Sequence, residues 1–224
     1  YIGTPTSLAA LPLATRANIP FIAPFTGAMS LREPFNRMAF HLRASYDDET
    51  ASIVNQLNTL GLKSIAVFYQ NDAYGKAGLA GVERAMKKRN LTISSTVTVE
   101  RNTVDVAKAV QTMSKDPPTA IVMISVVPFP WSDVQPIVRE YQKRIGGAEK
   151  YSFTSLEGYI AAKVLVEGLK RAGKNPTRES LVDGLASMGK IDLGGFTVNY
   201  TPTNHNGSSF VDLTIISRGS TFKH

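Results

Sequence analysis

The chain has 224 residues, 43% of them apolar, with 25 Lys and Arg against 18 Asp and Glu for a net charge of +7, and it has no cysteine. This is the composition of a folded globular chain, long enough for one large domain or two lobes, and it excludes a disulfide framework, a thiol nucleophile and any cysteine-based metal centre. No apolar run approaches the length of a membrane-spanning helix, and Tyr1-Ile2-Gly3-Thr4 lacks the basic-then-apolar layout of a signal peptide, which is expected upstream of Tyr1.

Taken in order, helical and strand periods alternate, which predicts α/β architecture. Thr6 or Ser7 caps a first helix carrying Leu8, Leu11 and Leu13; Asn18-Ile19-Pro20 stops it, and Phe21-Ile22-Ala23 is a short buried strand opening into Phe25-Thr26-Gly27-Ala28. Ser45 with Asp48 starts the next helix, with Ile53, Val54, Leu57 and Leu60 on one face and Gly61 as its stop. A strand from Ser64 to Tyr69, the turn Gln70-Asn71-Asp72, a helix from about Tyr74 and a strand from Leu91 to Val99 complete a β-α-β unit. A helix opened by Thr103, with Val106, Val110 and Met113 inward, precedes a strand from Ala120 to Val127. Crossovers of this kind predict parallel sheet.

In the second half, Ser132 to Ile145 reads as a helix, Thr154 and Glu157 form a capping box for a helix to Gly173, and Thr177 caps another ending near Gly189. Phe196 to Tyr200 and Ser209 to Ile216 are strand-like runs whose connection holds the hairpin-favouring pair Asn206-Gly207. Gly27 to Ala44, Val127 to Trp131 and Gly194-Gly195 combine turn formers with broken periodicity and are the expected lobe crossings. They divide the chain into one lobe of residues 1–43 and 127–194 and another of 44–126 and 195–224.

Chemistry is sparse. His41, His205 and His224 have no metal-ligand spacing, and no G-x-S-x-G, P-loop or G-x-G-x-x-G motif occurs, although a triad dispersed along the chain stays open. Asp47-Asp48-Glu49 and Lys87-Lys88-Arg89 read as charges matched to helix poles, and the scattered basic residues form no nucleic-acid face. Gly3-Thr4-Pro5-Thr6-Ser7 is more informative. A helix start there turns free N–H groups, a positive dipole end and hydroxyls to one spot, which suits a carboxylate; a plain cap is the alternative. Phe25-Thr26-Gly27 follows a neighbouring strand at the carboxyl edge of the sheet, where open α/β sheets bind ligands, and Tyr74 opens another helix, where ordinary packing is the alternative.

These segments, with Pro24-Phe25-Thr26-Gly27-Ala28, Tyr69 to Gly75, and the region from Val127-Pro128-Phe129-Pro130-Trp131 to Glu157-Gly158-Tyr159, resemble in order the periplasmic solute-binding proteins of the leucine/isoleucine/valine-binding type. The resemblance implies two Rossmann-like lobes joined by three crossovers, no enzyme activity, no cofactor or metal, a periplasmic location, and capture of an amino acid or related carboxylate for an ABC permease. A sensory ligand-binding domain of the same fold is the runner-up. By position, Thr4 matches the hydroxyl residue that binds the ligand α-carboxylate, Phe25 and Gly27 match loop positions that contact the ligand amino and carboxylate groups, and Tyr74 matches a tyrosine that closes from the second lobe; Thr26, between the two loop positions, and Thr6 are further ligand-binding candidates. The family also carries β-α units ahead of the position of Tyr1, and a helix-strand-helix stretch, with an amine-pairing acid, between the positions of Ser125 and Val126; neither is in this sequence. A complete member is expected to be a monomer.

Overall fold

The computed structural model describes residues 1–101, 103, 105–122, 130–132, 134–212, 215–216 and 222–223. The first half alternates as predicted save for one additional strand, β2: α1 (Thr4–Arg16), β1 (Phe21–Ile22), β2 (Ala39–Phe40), α2 (Tyr46–Thr59), β3 (Ile65–Gln70), α3 (Ala73–Lys87), β4 (Ser95–Val99), α4 (Ala107–Lys115) and β5 (Ala120–Val122). The second is richer in helix: α5 (Pro136–Ile145), α6 (Phe153–Ala172), α7 (Arg178–Ala186), then β6 (Gly189–Asp192), β7 (Thr197–Tyr200) and the short pair β8 (Ile215–Ile216) and β9 (Phe222–Lys223). β1 pairs with β2, and β3 with both β4 and β5, all in parallel register. This is the two-lobed α/β architecture with parallel central sheets that the alternating pattern predicts.

Local chemistry sets the ends of these elements. Ser45 and Asp48 exchange bonds in a capping box that opens α2, and Thr177 and Ser180 do the same for α7. Asp72 caps α3 by accepting from Gly75 N–H at 3.0 Å. In α6 the expected box fails. Ser152 is the cap, accepting from Ser155 N–H, so the helix opens two residues earlier and Glu157 faces the interior.

The predicted hairpin at Asn206-Gly207 is also replaced. β7 pairs antiparallel with β6, and the turn between them contains Gly194 and Gly195 at φ 100° and 88°, a region open to glycine and strained for other residues. Asp192 Oδ1 accepts from both glycine N–H groups, at 2.9 and 2.7 Å, which fixes the turn. The stretch expected as a crossing is therefore a hairpin tip, and Asn206 bridges in parallel to His41 instead. The expected strand end after Val122, the Ser125/Val126 junction and residues 127–129 of the second crossing lie outside the described residues.

Among the described residues, three apolar clusters form the core. One joins Phe40 and Leu42 to α5, α6, α7 and the β6–β7 hairpin through Ile137, Leu156, Ile160, Leu185 and Val198. Another lies under the β4-β3-β5 sheet, where Ile65, Val67 and Val122 meet Val54, Val82 and Met86 of α2 and α3. Between them a smaller cluster gathers Leu11, Phe21, Ala28, Ala39 and Tyr46, with Tyr74 and Ala77 of α3 packed on it. The opposite face of the β3 sheet is covered less well. A groove of about 600 Å³ there is walled by Phe68, Val110, Met113 and Ile121.

Candidate ligand-binding site

α1 begins at Thr4, and its N-cap is Gly3 at φ 91°, not Thr6 or Ser7. Pro5 explains the shift: it has no N–H to satisfy and its ring pre-sets a first-turn φ, so the helix starts ahead of the hydroxyl that would have capped it. Thr6 is exposed and turned backward, donating to the carbonyls of Ile2 at 2.5 Å and Gly3 at 3.0 Å. It is not brought to the other site residues. Thr4 is: its Oγ1 lies 2.7 Å from Thr26 Oγ1, and both residues are buried. Ser7, one turn further on, is also buried, and its hydroxyl meets no hydrogen-bond partner among the described residues. Its spacing of three from Thr4 puts it on the same face of the helix.

Phe25 enters through its ring. Its N–H donates to Tyr1 O at 2.9 Å and its carbonyl accepts from Gly3 N–H at 3.1 Å, which ties the loop to the chain start. Thr26 Oγ1 takes a further bond from Ala28 N–H at 3.3 Å. Gly27 is pressed against α2: its carbonyl accepts from Tyr46 N–H at 2.8 Å, and a Cβ there would stand 2.6 Å from the Tyr46 ring. The Tyr46 ring in turn meets Tyr74 edge to face at 5.5 Å. Burial pushes the Tyr74 phenol up to about 12, so it stays a neutral donor at physiological pH. Five of the six predicted residues thus form one neighbourhood: Thr4, Phe25, Thr26 and Gly27 at the α1 start, and Tyr74 reached through Tyr46.

Behind this neighbourhood lies a buried charged layer that the sequence reading did not find. The Arg43 guanidinium sits 4.4 Å over the Phe25 ring and donates to Glu157 Oε2 of α6 at 3.0 Å. Arg32 donates to Asn206 Oδ1 at 2.7 Å and to the carbonyls of Arg43 and Ala44 at 2.9 and 3.3 Å. Glu49 is fully buried, and neither carboxylate oxygen accepts a hydrogen bond among the described residues. Burial raises Glu49 to about 8, opposed by Arg43 and Arg32, and raises Glu157 to about 7, opposed by Arg43. Glu49 therefore departs from the helix-pole role expected of the acidic run, which Asp48 fills. No group of three or more His, Asp or Glu side chains suited to a metal ion occurs among the described residues.

A family model described as periplasmic binding protein matches residues 1–131 and 123–219. Among solved structures, a possible leucine/isoleucine/valine-binding protein from Rhodopirellula baltica is 28% identical, with a TM-score of 0.86 over 100% of this chain and 76% of that one. A substrate-binding periplasmic protein from Ralstonia solanacearum is also 28% identical, with a TM-score of 0.85 over 98% of this chain and 77% of that one. A branched-chain amino acid ABC transporter protein from Thermus thermophilus with bound valine shares the fold at 16% identity, with a TM-score of 0.77 over 92% of this chain and 71% of that one. Among curated proteins none matches. The parallel two-lobed fold, the family match along nearly the whole chain and the solved relatives lead to one conclusion: the chain belongs to the periplasmic binding protein family, the non-catalytic receptors that capture solutes for ABC importers by hinge bending.

Proposed function

We propose that the captured solute carries a carboxylate and is an amino acid or a close analogue, with the α1 start and the Thr4–Thr26 hydroxyl pair as the place where that carboxylate binds. The observation that carries this reading is the 2.7 Å hydroxyl contact buried at the positive end of a 13-residue helix. One of these hydroxyls now donates to the other, and once an anion enters each can turn its own O–H to it. The unpartnered Ser7 hydroxyl offers a third donor on the same face. The Phe25 ring and Tyr74 would flank the organic part of the solute, with Tyr74 brought in from the second lobe as the lobes close. Bound valine in the Thermus thermophilus relative supports the class of ligand, since valine presents the carboxylate this end of the helix suits. An ABC permease receives the solute, as in the family.

Thermal unfolding in the presence of graded valine, leucine, benzoate, glucose and acetamide tests the assignment. A concentration-dependent rise in Tm with the carboxylates, absent with glucose and acetamide, is expected. A rise with the neutral compounds alone would overturn it.

A further inference from the structure

The buried layer behind the site joins two cores that hinge bending must move past each other. Glu157 lies in the first turns of α6, whose Leu156 and Ile160 belong to the helical core. Glu49 lies in the first turn of α2, whose Val54 belongs to the core under the β3 sheet. Arg43 stands between them, on the connection from β2 to α2, and feels the charge of both acids, Glu157 first and Glu49 next.

The backbone and side chain of Arg43 are held differently. Arg32 grips the carbonyls of Arg43 and the following Ala44 and is itself anchored on Asn206, so the backbone at 43–44 is a fixed point. The Arg43 side chain extends from that point to Glu157. Glu49, fully buried yet without a hydrogen bond to either oxygen among the described residues, is an acceptor whose demand this conformer leaves unmet. Buried carboxyl groups of this kind ordinarily find a partner, and a guanidinium reached by rotation of its own side chain favours the ionised form of the acid it meets.

We propose that Arg43 is a two-position latch, holding Glu157 of α6 in the present conformer and pairing with Glu49 of α2 when the two cores swing about the segment from His41 to Ser45. The charged and titratable groups facing the latch are Arg32, Asp48, Tyr46 and Tyr74 together with the two acids. The latch rests on the hinge bending of the family and not on the carboxylate assignment, so it is tested without any solute.

The cysteine-free sequence allows a clean distance measurement. Cysteines replacing exposed Lys88, beyond α3, and Lys174, beyond α6, carry nitroxide labels, and the distance distribution between them is recorded by pulsed electron resonance. Two distance populations are expected. Glu157→Gln shifts weight to the population that is minor in the starting protein, and Glu49→Gln removes that population. Adding Glu49→Gln to Glu157→Gln abolishes the shift. Circular dichroism confirms that each near-isosteric variant is folded. A single population unchanged by Glu49→Gln, or a Glu157→Gln shift that persists without Glu49, would overturn the latch. Should Glu157→Gln fail to fold, the response to Glu49→Gln alone decides.

Discussion

At the scale of single residues, Thr4 has a role separable from helix capping, because Gly3 is the cap and the Thr4 hydroxyl goes to Thr26. Thr4→Val keeps the shape and removes that hydroxyl. Calorimetry with the best solute should show binding weakened by about 1–3 kcal/mol, and urea unfolding a stability loss of about 1 kcal/mol. Unchanged affinity would leave Thr4 a structural residue only. Glu49 governs a pH dependence. Its folded value of about 8 lies above the ordinary 4.5, so the native state holds the proton more tightly. The resulting stabilisation is complete below 4.5 and is lost as pH rises through about 8. Urea unfolding between pH 5 and pH 9 should therefore show a decline that Glu49→Gln flattens, with the variant the more stable protein at the alkaline end. Neither Glu49 nor Glu157 was legible from local sequence. A carboxylate in the first turn of a helix fits the dipole whether it faces water or the core, and the Arg43 partner lies 114 residues from Glu157.

At the scale of elements, the α6–α7 pair depends on close backbone approach. A Cβ on Gly184 of α7 would stand 2.8 Å from the carbonyl oxygen of Gly168 in α6, an atom that cannot yield without moving the helix. Gly184→Ala should lower stability by about 1–3 kcal/mol through overpacking, measured by chemical denaturation; a neutral result would mean the helices re-space at little cost. Sequence periodicity located each α-helix of the described residues, because each carries an apolar stripe or an end signal that acts over three or four residues, and it missed the short 3-10 turns Met29–Leu31 and Ala148–Lys150. It also missed β2, β6 and β9. Two residues of strand give no period to detect, and the exposed-polar alternation of Gly-Lys-Ile-Asp in β6 gains its meaning from pairing with β7. The same limit misassigned the hairpin: Asn206-Gly207 has turn chemistry, yet its place beside His41 is set by the long-range bridge.

At the scale of the whole molecule, parallel sheets are ordinarily covered on both faces, and here the face bearing Phe68 and Ile121 is covered incompletely by α4. Val110 is 57% exposed on that helix. An apolar surface of this kind should bind a hydrophobic dye and promote association at high concentration. Val110→Lys should lessen both without lowering Tm, as followed by dye fluorescence and light scattering; dye binding unaffected by the change would place the sticky surface elsewhere. Lastly, the bond between Arg32 and Asn206 joins groups 174 residues apart, and the ring of His205 reaches the carbonyl of Ala39 over 166. The first parallel strands thus gain part of their lateral support from residues 205 and 206, distant in sequence. Such distant partners make for slow folding, since the chain loses the entropy of a very large loop before any contact repays it. During synthesis, the contacts of Arg32 and Ala39 can form only after residues 205 and 206 emerge, so a ribosome stalled before them should hold a chain in which this part is open.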